Sequence, residues 1–223
     1  MRKVFEDRLA LIQSHLANGV TGRDHERGYS IDPAKCSVFN PDTPEIYESA
    51  LPQDFGFVGN PGVKNPEIEK FLARIGPSIN KSKSCPYYKL DNKSVYMPPF
   101  ARYLSPDNYY SDALHEFVHH ARHLSGHFGI GGKTTCFKMA IEEIVAQVGA
   151  ELLMAKFGLD TSEKSAAYID AHGQELCKAL GFSYFQASLP PYVKRLVDVA
   201  IDDAVKSAVV AVEELERIVE NSQ

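Results

Sequence analysis

Residues 115–119 read His-Glu-Phe-Val-His, and they lie in a stretch whose apolar residues recur at helical spacing. On an α-helix this spacing places the His115 and His119 imidazoles on one face, with Glu116 on the adjacent flank. A catalytic zinc site uses three protein ligands and keeps a fourth position open for water. The segment therefore predicts a Zn²⁺ ion held by His115 and His119, with Glu116 as the general base for the catalytic water.

The third protein ligand has to come from another part of the chain. Six residues after His119 stands Ser125, so the third histidine that one class of zinc hydrolases uses at this spacing is missing. The acidic pair Glu142-Glu143 lies on the next long helical segment, whose small residues allow close packing against the first. We favour Glu143, because Gln147 one turn later shares its face and could hydrogen-bond a ligand. Glu142 remains the alternative.

Other polar side chains near the motif have chemistry suited to such a site. Three further histidines follow the motif, namely His120, His123 and His127. Of these, His123 could approach the metal or the substrate. The oxygen anion that develops on a substrate also needs a hydrogen-bond donor. That role stays open among Tyr109, Tyr110, Arg122, Tyr168 and His172.

Helix and turn signals predict a mainly helical protein with one small antiparallel sheet. Cap residues and apolar periodicity predict six helices. The first ends at Asn18-Gly19, the second runs from Asn65-Pro66 to Gly76-Pro77, and the third runs from Ser105-Pro106 to Leu124. The fourth runs from about Phe137 to Phe157, the fifth from a capping box at Asp160 and Glu163 to about Leu180, and the sixth follows Pro190-Pro191. Aromatic and β-branched runs on either side of Asp91-Asn92 predict a hairpin between Tyr87 and Met97.

Composition narrows the cellular setting and the partners. The chain has 223 residues and a formal net charge of -5, which argues against extensive binding of nucleic-acid phosphates. It has no apolar run long enough to cross a membrane and no signal-peptide pattern at its N-terminus, so we expect a cytoplasmic protein without a membrane partner. We divide the chain into an N-terminal helix with an extended connector, residues 1–64, and a metal-binding domain, residues 65–223.

Several short motifs carry a resemblance to a known family. They are Tyr87-Tyr88, Tyr96-Met97-Pro98-Pro99-Phe100, Ser105-Pro106, Tyr109-Tyr110, the His115 to His119 motif and Glu142-Glu143-Ile144-Val145-Ala146. Together they resemble the metallopeptidase-like domain of ArdC-type antirestriction proteins, over about residues 65–179. Val38-Phe39-Asn40 is similar to the start of that family's interdomain linker, whereas most of the family's N-terminal domain for single-stranded DNA has no counterpart.

The resemblance implies an α+β, zincin-like fold. It also implies that His115 and His119 are metal ligands, that Glu116 is the catalytic acid and base, and that the acidic pair supplies the third ligand. Gln147 stands where the family commonly has Glu, which implies weaker polarisation of a ligand without loss of one. The family's association with mobile elements implies a plasmid, phage or integrated-element origin.

The leading functional hypothesis is a gluzincin-like zinc metallopeptidase that hydrolyses a peptide or protein substrate. An antirestriction role on a mobile element is compatible with it. The alternative is a non-catalytic, zinc-containing antirestriction or DNA-binding protein, and a third hypothesis is a zinc hydrolase that acts on a non-peptide bond. A base at Glu116 favours catalysis, because a purely structural zinc site needs none.

Overall fold

Helices dominate the protein, for which a computed structural model describes residues 2–17, 62–83, 85–127, 136–182 and 189–222. The helices in this part of the chain are α1 (Arg2–Ala17), α2 (Pro66–Ile75), α3 (Pro106–Leu124), α4 (Cys136–Lys156), α5 (Ser162–Ala179) and α6 (Pro191–Asn221). The strands are β1 (Ile79–Lys81), β2 (Tyr87–Lys89) and β3 (Ser94–Met97), and a 3₁₀ turn occupies Phe100–Arg102. The α+β class is confirmed, whereas the predicted connector and its Val38-Phe39-Asn40 motif lie outside the described residues.

Local capping explains where the helices begin and end. Asn65 Oδ1 accepts hydrogen bonds from the first backbone N–H groups of α2, and Gly76 ends that helix in the left-handed conformation with φ 107°. Ser105 Oγ accepts from the backbone N–H of Asn108 at the start of α3. The capping box predicted for α5 is wrong in detail. Thr161 occupies the cap position, and the preceding Asp160 accepts from the backbone N–H of Ser162 at 3.0 Å.

The sheet contains the predicted hairpin and one additional strand. Strands β2 and β3 pair in antiparallel fashion with Tyr88 opposite Val95, which confirms the hairpin. Strand β1 adds to the other side of β3 in a parallel arrangement, so the sheet is mixed with the order β1-β3-β2. The sequence analysis did not predict β1, because three residues are too few to show an alternating pattern. Tyr88 and Val95 are buried, and the sheet packs against α3.

Helix α4 lies at the centre of the protein and contacts α1, α3, α5 and α6. Its small residues matter most where it crosses α3. A Cβ atom placed on Gly149 would lie 2.8 Å from Cγ2 of Val118, which is closer than real atoms approach. The absence of that atom lets α3 and α4 pack closely and brings the His115 face against α4.

The N-terminal helix packs onto the same bundle. Helix α1 contacts α4 and α5 and buries Phe5 and Ile12 there. The boundary between residues 64 and 65 stays a prediction. No helix among the described residues is long and apolar enough to cross a lipid bilayer.

Candidate metal centre

Two adjacent helices bring three ligand atoms together at one point. His115 and His119 lie one turn apart on α3, and their Nε2 atoms are 3.1 Å from each other. Glu143 on α4 approaches His115 Nε2 with Oε2 at 3.2 Å and His119 Nε2 with Oε1 at 3.6 Å. Within the described ranges, this is the group of His, Cys, Asp or Glu side chains that could hold a metal ion.

The spacing of these atoms fits a small divalent cation. A tetrahedral zinc ion that lies about 2.0–2.1 Å from each ligand atom separates those atoms by roughly 3.3 Å. The three contacts between His115, His119 and Glu143 range from 3.1 to 3.6 Å. Two imidazoles and one carboxylate also form a donor set that catalytic zinc sites use. The residues therefore fit the ion that a site of this kind requires.

Each histidine has a polar neighbour at its other ring nitrogen. His115 Nδ1 lies 3.1 Å from Gln147 Oε1, and His119 Nδ1 lies 3.5 Å from Glu142 Oε1. Glu142 is buried and accepts hydrogen bonds from Arg122 Nε at 2.7 and 2.9 Å. Partners of this kind fix the orientation of a metal-binding imidazole. The two carboxylates of the acidic pair thus have different positions. Glu143 points to the converging Nε2 atoms, and Glu142 lies behind His119.

Glu116 occupies the flank of α3 between the two histidines and is buried. Burial raises the pKa of its carboxyl group to about 7, although the charges of His115 and His119 act in the opposite direction. That value also includes smaller contributions from Glu143 and Asp112, which raise the pKa. A carboxyl group with a pKa near neutral can both accept and return a proton.

The charge balance of the site is set by its carboxylates. Burial alone would lower the pKa of His119, but the hydrogen bond to Glu142 and the charges of Glu143 and Glu116 raise it to about 9. Burial alone would raise the pKa of Glu143, but the hydrogen bond with His115 and the charge of His119 hold it well below its usual value. The site is therefore an anionic pocket that favours positive charge at its centre.

Helix α5 also contributes side chains next to His115 and Glu143. Tyr168 donates a hydrogen bond from its hydroxyl group to Glu143 Oε2 at 2.7 Å, and its ring lies edge-on to His115 with centroids 5.5 Å apart. The ring of His172 lies 4.5 Å from that of Tyr168. Both residues were among the five donor candidates of the sequence analysis.

The other three candidates are placed elsewhere. The Tyr110 hydroxyl accepts from the backbone N–H of Asn65 at 2.8 Å and donates to Glu69 Oε1 at 3.0 Å, so it anchors α2. Tyr109 is buried among aromatic rings, with the Phe100 centroid 5.0 Å away. Arg122 is bonded to Glu142, as described above.

The additional histidines form a separate group with the sheet. The Tyr88 hydroxyl lies 2.9 Å from His123 Nδ1 and 3.2 Å from His120 Nδ1. His127 is exposed and lies 3.0 Å from Ser125 Oγ through its Nδ1 atom. None of these three histidines joins the cluster of His115, His119 and Glu143.

Sequence reasoning missed one further polar residue of α4, Glu151. The polar residues Glu143, Gln147 and Glu151 recur every four positions on a largely apolar helix, so they share one face. That repeat was the available signal for Glu151.

Comparisons with known proteins find two related crystal structures. The metal-free crystal structure of the antirestriction protein ArdC from plasmid R388 is 26% identical to this chain, covers 78% of it and 57% of that chain, and has a TM-score of 0.52. The Mn(II)-bound structure of the same protein is 26% identical, covers 78% of this chain and 59% of that one, and has a TM-score of 0.53. The chain thus spans less than two thirds of that relative. A search of curated proteins finds no match.

The family comparison covers the part of the chain that builds the site. Residues 66–179 match the model of the zincin-like metallopeptidase family, and this range contains α3, α4, α5 and the sheet. The likeness to ArdC-type antirestriction proteins that the sequence indicated is confirmed by the matching structures. The chain belongs to the zincin-like metallopeptidase family.

Proposed function

We propose that this chain is a zinc-dependent peptidase in which His115, His119 and Glu143 hold the ion and Glu116 is the general base. The observation that carries the proposal is the buried Glu116 carboxyl group, which interacts with both histidines but is not one of the three converging ligands. Burial of an ionisable group costs free energy. A site that held an ion only for structural purposes would gain nothing from keeping this acid beside it.

Zinc is the favoured ion on the basis of the donor set. Imidazole nitrogen binds first-row divalent ions with an affinity that is lowest for Mn²⁺ and much higher for Zn²⁺. The ArdC relative that was crystallised with Mn(II) supports a divalent ion in this fold. We infer that zinc occupies the centre formed by His115, His119 and Glu143 under native conditions.

The chemistry then divides between the ion and two side chains. A bound ion would supply Lewis acidity, lowering the pKa of water and polarising a carbonyl group. Glu116 takes the proton of the attacking water on its carboxylate and delivers it to the nitrogen of the departing amine. Tyr168 reaches the site from α5 through its hydroxyl group. We propose that this hydroxyl redirects its single proton from Glu143 to the substrate oxygen and so stabilises the oxygen anion that develops there.

The substrate class that we propose is an extended peptide or a protein segment. Strand β2 is an edge of the sheet, since the strand order is β1-β3-β2. Its Tyr88 lies against α3, the helix of the metal ligands, through the contact with His120. An extended peptide could add to this edge through backbone hydrogen bonds and run past the metal centre.

The biological setting that we propose follows from the ArdC likeness. That relative is an antirestriction protein from a plasmid. We infer an antirestriction role on a mobile element, carried out in the cytoplasm of the host cell. A second candidate function is non-catalytic binding of a restriction enzyme or of DNA by the same fold. The same ArdC relative supports this second function. A test for peptide cleavage distinguishes it from the first.

The test of the proposed function is the substitution Glu116→Gln. It keeps the side-chain volume and removes the base, so peptide hydrolysis should fall by about 10²-fold or more. Zinc content and thermal melting should stay unchanged, and the exposed Glu163→Gln on α5 is the matched control. The assay is cleavage of a peptide library and of denatured protein by both variants and by the unmodified chain.

Three outcomes are informative. Equal cleavage by Glu116→Gln and by the unmodified chain would contradict the assignment of the base. Absence of cleavage by the unmodified chain, together with protection of DNA from restriction, would favour the binding function. Loss of cleavage in Glu116→Gln alone, with zinc retained, supports the peptidase.

A further inference from the structure

A continuous line of buried polar groups leads away from the metal centre to the N-terminal helix. Behind His115, the Gln147 side-chain nitrogen donates to Ser165 Oγ at 2.8 Å. Ser165 Oγ donates to Glu151 Oε2 at 2.8 Å. Arg8 of α1 donates to Glu151 Oε1 at 2.7 Å. The line therefore joins α3, α4, α5 and α1 by side-chain hydrogen bonds.

The members of this line lie in the interior of the protein. Ser165 and Glu151 are 0% exposed and Gln147 is 4% exposed. Buried polar groups cost free energy unless each has its hydrogen-bond partner, and a fully connected network specifies one arrangement of its members. None of these three side chains is one of the converging ligands, so any effect that they have on ion binding is transmitted through His115.

The direction of every hydrogen bond in the line follows from Glu151. Burial raises the pKa of Glu151, but the hydrogen bonds from Thr161 and Ser165 and the Arg8 cation at Oε1 act in the opposite direction and favour the carboxylate, which can only accept. Ser165 must then donate its only hydroxyl proton to Oε2 and can accept from Gln147. An amide that donates through its nitrogen to Ser165 presents its oxygen to His115.

The last step sets the tautomer of the imidazole. The Gln147 oxygen, 3.1 Å from His115 Nδ1, can only accept, so Nδ1 carries the proton. The Nε2 atom of His115 then keeps its lone pair toward His119 and Glu143. A lone pair at that position is what a metal ligand requires.

We propose that Ser165 and Glu151 are positioning residues that act through Gln147 to hold His115 with Nδ1 protonated and Nε2 ready to bind the ion. The inference rests on the metal centre of the proposed function but not on peptidase activity. The inference also connects α1 to the site, because Arg8 binds Glu151 at the far end of the line. Arg8 also donates hydrogen bonds to Asp160 and to the backbone oxygen of Leu159.

The experiment is a double-mutant cycle of zinc affinity, measured by competition with a chelator. Loss of a partner behind a metal ligand typically weakens binding by about 10–100-fold. We expect Ser165→Ala to weaken zinc binding by about tenfold and Gln147→Leu by at least as much. The combined variant should bind zinc as Gln147→Leu does, within about twofold, because Ser165 acts only through the amide.

The matched control is Ser111→Ala on α3. The Ser111 hydroxyl is also buried, and in the described part of the chain it has no hydrogen-bond partner. Its removal should leave zinc affinity within about twofold of the unmodified chain. In zinc-loaded protein, imidazole NMR should show a slowly exchanging Nδ1 proton on His115 that exchanges faster in Ser165→Ala.

The outcomes separate this inference from the proposed function. Unchanged zinc affinity in Ser165→Ala would overturn the inference alone, as would effects of Ser165→Ala and Gln147→Leu that multiply in the combined variant. Failure of the unmodified chain to bind zinc would overturn both the metal centre and the positioning line. All variants are compared by thermal melting, so that a loss of folding is recognised.

Discussion

Helix α3 carries two pairs of histidines whose surroundings differ. His115 and His119 face α4 and meet the carboxylate of Glu143. His120 and His123 face the sheet and meet the hydroxyl group of Tyr88. Both pairs lie on the same helix, within nine residues of sequence.

The electrostatic consequences are opposite. Carboxylates around His119 outweigh its burial and raise its pKa to about 9. Burial, together with the charges of His123 and Lys93, lowers the pKa of His120 to about 4. Burial and Lys93 also lower the pKa of His123. His119 therefore lies where a cation is stabilised, and the second pair lies where a cation is disfavoured.

This difference shows that a high density of imidazole does not make a metal site. Convergence with an anionic side chain from a second helix is what distinguishes His115 and His119. The Tyr88 group instead joins α3 to β2, with the Tyr88 and His120 rings edge-on at 5.6 Å between centroids. We expect that group to contribute to stability rather than to metal binding.

The largest expected effect is loss of the ion when the first pair is removed. The combined change His115→Ala and His119→Ala deletes two of three protein ligands, so bound zinc should fall from about one ion per chain to near zero. The matched change His120→Ala and His123→Ala should leave zinc content unchanged. Elemental analysis of purified protein measures both. Equal zinc content in the two variants would show that the pairs do not differ as described.

A smaller effect separates the two neighbouring carboxylates. Glu143→Ala removes a proposed direct ligand and should weaken zinc binding by well over 100-fold, whereas Glu142→Ala acts through the orientation of His119 and should weaken it by about 10–100-fold. Chelator competition on both variants gives the ranking. The reverse order would transfer the third ligand to Glu142.

The donor on α5 can be tested in the same comparative way. Tyr168→Phe removes the hydroxyl group that reaches Glu143, and we expect peptide hydrolysis to fall by about 10–100-fold with zinc retained. Tyr88→Phe removes a hydroxyl group from the other histidine pair but keeps the ring contact of β2 with α3, so it should leave hydrolysis unchanged. Steady-state rates on one peptide substrate decide the matter. An unchanged rate in Tyr168→Phe would exclude it as the donor.

The smallest expected effect concerns the helix contact that brings the ligands together. Gly149→Ala would place a Cβ atom 2.8 Å from Val118 Cγ2, so we expect a loss of about 1–3 kcal/mol in the free energy of unfolding. Gly173→Ala on α5 is the control, because its Cβ would lie 3.9 Å from Ile201 Cδ1. Alanine there should stabilise the helix by about 0.5–1 kcal/mol. Urea denaturation of both variants measures their free energies of unfolding. Equal values would show that α3 and α4 do not pack closely at Gly149.

Local patterns predicted the helices and the hairpin because their causes are local. The caps at Asn65 and Ser105 and the left-handed Gly76 are read directly from neighbouring residues. The same is true of the His115 and His119 pair, since four residues is one helical turn. The direction of Glu143 relative to Glu142 followed from the position of Gln147 one turn later.

Other features could not be predicted because they depend on which helices meet. The proposal of Tyr168 rather than Tyr110 as the donor requires knowing that α5 lies beside Glu143 while Tyr110 faces α2. The contact of Arg8 with Glu151 joins residues 143 positions apart, and no local pattern specifies such a pairing. Strand β1 exists only because β3 offers it a partner edge.

The location of the bound ion tests the central claim most directly. Crystals of zinc-loaded protein measured at the zinc absorption edge would show the ion as an anomalous density peak. We predict one such peak bounded by Nε2 of His115, Nε2 of His119 and the carboxylate of Glu143. A peak beside Tyr88 and His120 instead, or none at the predicted position in zinc-loaded protein, would contradict it.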